Sequence, residues 1–320
     1  MDIEITVLRD QMIMFFIFIL CGFLGVKIKL ITREMLDGLA KLILSIIMPC
    51  MYLSILPNAV SPNSASMLLY MIPGGFLLYA FFILLGILLA FLLRLKGDQR
   101  NIHIAQTCLL NAAFFGIPLA GALLGPEGTL AISLFTVVDS IAVWTFGVIM
   151  ATGSQRKLDG KSEFSLSFAL KKLCNPCTIS VAVGLVLLLL KVPVDNVPMQ
   201  ALSSIGGCTK SLAMVYIGGT IAFMDLKGIT KAWPAFSIVI VRMIGAPLFI
   251  NWLLNHLPWE LPSMVVQAFT LLSCLPAIAS YPLIAKQNGS DAAEYSSQIV
   301  MVTTLCCLVT IPLVSILTQS

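Results

Sequence analysis

Two stretches of this chain set polar side chains beside residues that interrupt helices, inside otherwise apolar sequence. The first runs Asn111-Ala112-Ala113-Phe114-Phe115-Gly116-Ile117-Pro118. The second runs Ser273-Cys274-Leu275-Pro276-Ala277-Ile278-Ala279-Ser280-Tyr281-Pro282. Proline removes a backbone donor and clashes with the preceding turn, and glycine admits a close neighbour. A helix broken at such a point frees backbone polar groups and aims a half-helix N-terminus, with its partial positive charge, into the protein. That chemistry suits a bound anion. Taken singly, each stretch is equally well an ordinary proline kink. The matched pair is more specific, and it makes Asn111, Gly116, Pro118, Pro276, Ser280 and Tyr281 candidate substrate contacts.

Three charges sit deep in apolar runs: Asp139, Lys210 and Arg242. A charge at the centre of a membrane helix costs about 2.5–3.5 kcal/mol on insertion scales, so each should face a partner or a wet cavity. Asp139 and Arg242 form either a buried structural pair or, in a second reading, Asp139 is a proton or sodium site. Lys210 either draws a substrate carboxylate or snorkels to a wet crevice. Ser140, Gln298, Thr303 and Thr304 could line the same site, or bond their own helix backbone. Asp37 and Lys41, four residues apart with the acid first, read as a structural helix pair or as a gate.

Composition excludes most other chemistry. Of 320 residues, 59% are hydrophobic and 11% charged, against about 25% charged in a soluble domain. The bilayer is the natural solvent for such a chain, and nothing points to a nucleic-acid partner. The nine cysteines lie mostly inside apolar runs as small packing residues. Cys174 and Cys177 lack the second ligand pair a zinc site needs, so no metal and no cofactor is expected. No P-loop, G-x-S-x-G or H-E-x-x-H motif occurs, so neither direct ATP use nor an enzyme is expected.

The elements that must position these groups are long continuous apolar runs, which in a membrane means helices. Ten spans are expected, near 11–28, 36–57, 66–94, 101–123, 128–151, 175–192, 199–224, 232–255, 262–285 and 291–317. The acidic flank Met1–Asp10 makes the first a retained span rather than a cleaved signal. Lysine and arginine test the count. Connections after spans 1, 3, 5, 7 and 9 carry almost all of them, Lys27, Arg94, Lys157, Lys227 and Lys286 among others, whereas the opposite side holds Arg9 and Lys191. The positive-inside rule then makes the basic side cytoplasmic and puts both termini outside.

The basic connection 152–174 separates two halves, 1–151 and 175–320, of five spans each. An odd number per half inverts the second against the first, a plan common in secondary transporters. Pro118-Leu119 followed by Gly125 and Glu127 is echoed by Pro282-Leu283 followed by Gly289 and Asp291 at the same offsets. Gly74-Gly75, Gly206-Gly207 and Gly218-Gly219 read as points of close packing.

With these residues in place, the chain resembles the auxin efflux carrier family, which includes plant PIN auxin exporters and bacterial dicarboxylate-type carriers. The resemblance rests on Asn111…Gly116-Ile117-Pro118, on Pro276 with Ala285-Lys286, and on Pro49, Asn175-Pro176, Gly218, Arg242 and Ile311-Pro312-Leu313. It covers essentially the whole chain. Ser280 replaces an asparagine frequent in bacterial relatives, and Ser211 beside Lys210 replaces a frequent proline. The resemblance implies an all-α membrane protein with ten helices in a 5+5 inverted repeat, similar to bile acid symporters and sodium/proton antiporters, with spans 4 and 9 broken and crossing. It further implies a scaffold of spans 1, 2, 6 and 7, a mobile transport domain of spans 3–5 and 8–10, elevator-like motion and a homodimer through the scaffold. The expected activity is secondary transport or uniport of small organic anions (auxin-like weak acids or dicarboxylates) in the plasma membrane, with proton or sodium coupling open. The alternative is an anion channel or a membrane sensor without a transport cycle.

Overall fold

The computed structural model describes residues 5–58, 64–152, 176–190, 192–193, 195–224 and 233–318. The basic connection expected at 152–174 falls outside the described residues except for Thr152. In the described residues the chain is helical: α1 Ile5–Lys27, α2 Arg33–Ile55, α3 Ser64–Leu92, α4 Gly97–Cys108, α5 Ala112–Leu123, α6 Gly125–Ala151, α7 Pro176–Leu189, α8 Val197–Gly207, α9 Thr209–Ala222, α10 Ala235–Asn255, α11 Ser263–Cys274, α12 Tyr281–Gln287 and α13 Ala293–Leu317. Six of these, α1, α2, α3, α6, α10 and α13, are long and apolar enough to cross a membrane. Their outer faces expose large apolar side chains, such as Leu69, Leu77, Leu84 and Phe91 on α3. A patch that extensive is stable against lipid and not against water.

Proline shapes several helices without ending them. Pro49, Pro118 and Pro247 each sit at the second position after a π-turn, at Ile43–Ile47, Ala112–Gly116 and Ile238–Gly245. The wider turn absorbs the clash between the proline ring and the carbonyl before it. Pro118 was expected to mark the break in its span. It instead lies inside α5, and the break falls earlier, where Leu109 is extended (φ −80°, ψ 120°) and Asn111 leaves the helical region (φ −83°, ψ 55°). The second break spans Leu275 to Ser280, between α11 and α12, with Leu275 extended (φ −63°, ψ 148°). Here Pro276 lies in the extended segment and Pro282 in the first turn of α12.

Packing sorts around these breaks. α1 lies along α9, and α2 packs on α7 and α8; α3 packs on α4 and α6, and α10 on α11 and α13. The α1–α9 contact is as close as backbones allow. A Cβ on Gly218 would lie 1.9 Å from the Ile19 carbonyl oxygen, and one on Gly22 would lie 2.0 Å from that of Val215. Backbone cannot yield as a side-chain tip can. Gly218→Val is therefore expected to destabilise the protein by about 3 kcal/mol, read as a lower unfolding midpoint in detergent. An unchanged midpoint would show that α1 and α9 are free to separate. The echoed glycines Gly125 and Gly289 also prove equivalent in geometry. Both adopt positive φ, +66° and +72°, where the chain turns out of α5 and α12.

Candidate functional site

The two breaks meet. Leu110 and Ala277 pair as an isolated antiparallel bridge. The Asn111 N–H donates to the Pro276 carbonyl at 3.0 Å, and the Ile278 N–H donates to the Leu109 carbonyl at 3.2 Å. The freed Ala277 N–H donates to Thr303 Oγ1 on α13 at 3.2 Å, so Thr303 supports the crossing. These bonds satisfy backbone groups that an apolar interior would otherwise penalise. Gly116 belongs to the same contact: a Cβ there would press on the Leu275 side chain at 2.7 Å. Gly116 and Pro276 thus hold the crossing together.

A cavity of about 310 Å³ opens beside the crossing. Four expected site residues converge on it: Asn111, Asp139, Ser140 and Ser280. Asn111 is 1% exposed, and neither its Nδ2 nor its Oδ1 has a hydrogen-bond partner in the protein. A buried amide left so costs about 1–3 kcal/mol. Ala113 and Phe114, from the first turn of α5, line the same cavity, where N–H groups lack intrahelical acceptors.

Sequence reading missed several walls of this cavity. Thr136 precedes Asp139 and Ser140 by one helical turn, a spacing that could have flagged it; Ser45 and Tyr52 come from α2 and Thr178 from α7. It also missed the partner of Asp139. The Tyr79 hydroxyl of α3 donates to Asp139 Oδ1, and the Tyr79 ring stacks on Phe135, one turn before Asp139, at 5.5 Å.

Several expected groupings are corrected. Asp139 and Arg242 do not pair, because α3 stands between them. Tyr79 takes the carboxylate, while Phe82, on the same face of α3 one turn on, lies under the Arg242 guanidinium at 5.6 Å. Arg242 is 0% exposed, and its Nε, Nη1 and Nη2 have no hydrogen-bond partner. Asp37 and Lys41 form no ion pair either. Both side chains are exposed, where pairing gains little. Among the described residues the ion pair within 4 Å is Arg9–Asp10, at 2.9 Å.

Lys210 and Pro118 line a different cavity, of about 280 Å³, bounded by Thr209 and Gly121. The Lys210 amine donates to Gln11 Oε1 at 2.9 Å. A further cavity of about 470 Å³ is lined by Arg33, Asp37, Tyr216, Ser280, Pro282 and Lys286. It shares Ser280 with the cavity at the crossing. These two flanking cavities lie at opposite ends of α9, one at Thr209–Lys210 and the other at Thr220–Phe223. Tyr281 lines none of the three. Its ring is buried, and its hydroxyl donates to the Gly147 carbonyl at 2.8 Å, tying α12 to α6.

A family model described as membrane transport protein matches residues 7–315. No curated protein matches the chain.

Proposed function

The chain belongs to the membrane transport protein family, an auxin efflux carrier-like family of transporters, and from that premise we propose that it is a secondary carrier or uniporter of small organic anions. The observation that carries this reading is Asn111, a buried amide with both polar atoms unpartnered, on the wall of a cavity where two broken helices cross. An amide presents donor and acceptor together and so fits one edge of a carboxylic acid, and its N–H groups alone can donate to a carboxylate. The N-terminal turn of α5 adds a field worth about 0.3–1 kcal/mol to an anion, more when partly buried.

In this proposal the chain spans the plasma membrane ten times as a 5+5 inverted repeat, with both termini outside. The matched positive-φ glycines after α5 and α12 support the repeat. α1, α2 and α7–α9 form the scaffold and the dimer face. α3–α6 and α10–α13 form a body that slides as an elevator and carries the crossing with it. The flanking cavities at the two ends of α9 support a path past the crossing on either side. Coupling to protons or sodium belongs to Asp139.

The test is solute counterflow in proteoliposomes loaded with a mono- or dicarboxylate. A carrier gives saturable uptake that is accelerated by substrate on the far side. Flux that rises linearly with concentration and shows no counterflow would mean a channel and refute the carrier.

A further inference from the structure

Resting on the carrier reading, we propose that the cavity at the crossing binds a carboxylate together with one proton, shared between the substrate and Asp139. The argument is one of charge. Asp139 is the sole formally charged side chain among the described residues lining that cavity. Lys210 faces another cavity, and Arg242 is fully buried and does not reach this wall. A carboxylate entering beside Asn111 therefore meets a carboxylate and, among the described residues, no balancing cation. In a site walled by apolar helices two such charges repel strongly, because little solvent screens them. One proton between them turns that repulsion into a charge-assisted O–H···O hydrogen bond.

The surroundings of Asp139 leave the role to it. Tyr79 on α3 donates to Oδ1 and positions the carboxyl. Tyr52 on α2 and Cys108 on α4 lie within electrostatic reach, and Cys177 on α7 lines the same cavity. Arg242 on α10 stands beyond, within reach of Tyr79 and Cys108. None of these brings a second titrating carboxyl or a cation into the cavity.

The step balances. A proton from the loading side joins the Asp139 carboxylate, and the substrate carboxylate then accepts the new O–H. The loaded site carries one net negative charge for a monocarboxylate, the same as the empty, deprotonated site. On the far side the substrate leaves and the proton passes to water. Each cycle moves one proton with one carboxylate, so monocarboxylate transport is electroneutral and a dicarboxylate carries one net negative charge.

The experiment uses the full chain in proteoliposomes with lactate and succinate as probes. Exchange at equal pH is measured first and tests the carrier reading alone. Net uptake is then measured with the voltage clamped and the outside one pH unit more acidic. The expected result is an acceleration of about tenfold, since bound proton and bound substrate favour each other reciprocally. In Asp139→Asn, whatever exchange remains should be indifferent to pH and net uptake should lose its response to the gradient. Tyr79→Phe should move the midpoint of the pH profile, which a merely structural tyrosine would not do. Exchange by the unaltered protein with net uptake indifferent to pH, or driven instead by a sodium gradient, overturns the shared proton and leaves the carrier intact. Absence of exchange for both probes overturns the carrier reading for these carboxylates, and the inference with it.

Discussion

Asn111→Ala is expected to lower carboxylate uptake by a factor of about 100 or more while leaving the purified protein at least as stable as the parent. Hydrogen bonds to a charged group are worth about 1.5–3 kcal/mol each, and the Asn111 amide carries two N–H donors with which to bond a substrate carboxylate. Losing both accounts for the drop. Stability should move the other way. The amide is 1% exposed with both polar atoms unpartnered, so the empty protein already bears its desolvation cost, and alanine removes it. The measurements are initial uptake in proteoliposomes and the unfolding midpoint in detergent. Near-normal uptake would remove Asn111 from the site. A large fall in midpoint would instead make it a structural member of the crossing.

Arg242→Met is expected to raise stability by about 1–4 kcal/mol, the range seen when a buried ion pair or triad is replaced by apolar side chains of similar volume. The guanidinium is completely buried, none of its nitrogens has a hydrogen-bond partner among the described residues, and it lies over the face of Phe82. A cation over an aromatic face recovers about 2 kcal/mol when desolvated, less than the several kcal/mol of burying the ion. Arg242 lies within electrostatic reach of Cys108 and Cys274, the last residues of α4 and α11, where unpaired carbonyls gather partial negative charge. The unfolding midpoint of the variant checks the sign. A destabilised Arg242→Met protein would mean that those carbonyls hold the guanidinium more tightly than the geometry indicates.

Both predictions depend on residues whose type was visible from the start and whose surroundings were not. Asn111, Asp139, Ser140 and Ser280 stood out as polar groups in apolar runs, and all four line one cavity. Lys210 stood out for the same reason and faces another. Hydropathy reports that a polar group is buried among helices; it does not report the rotation of the helix that carries it. That rotation is set by packing such as the Gly22 and Gly218 contacts between α1 and α9, made by residues far apart in the chain.

What the amino-acid order determined alone is local: where apolar runs are long enough to be helices, that two are interrupted near Asn111 and Pro276, and that glycines 125 and 289 occupy matching positions. Hydropathy, ring closure at proline and the absence of a Cβ act within a few residues, so they are legible without a fold. Only the tertiary structure decided that the first break spans Leu109 to Asn111 and leaves Pro118 within α5, that Leu110 meets Ala277, that Tyr79 takes Asp139, and that Arg242 packs over Phe82 instead. Each of these joins groups from different helices. Which pairs meet depends on the packing of all the helices at once, and neither residue of a pair carries that in its own neighbourhood.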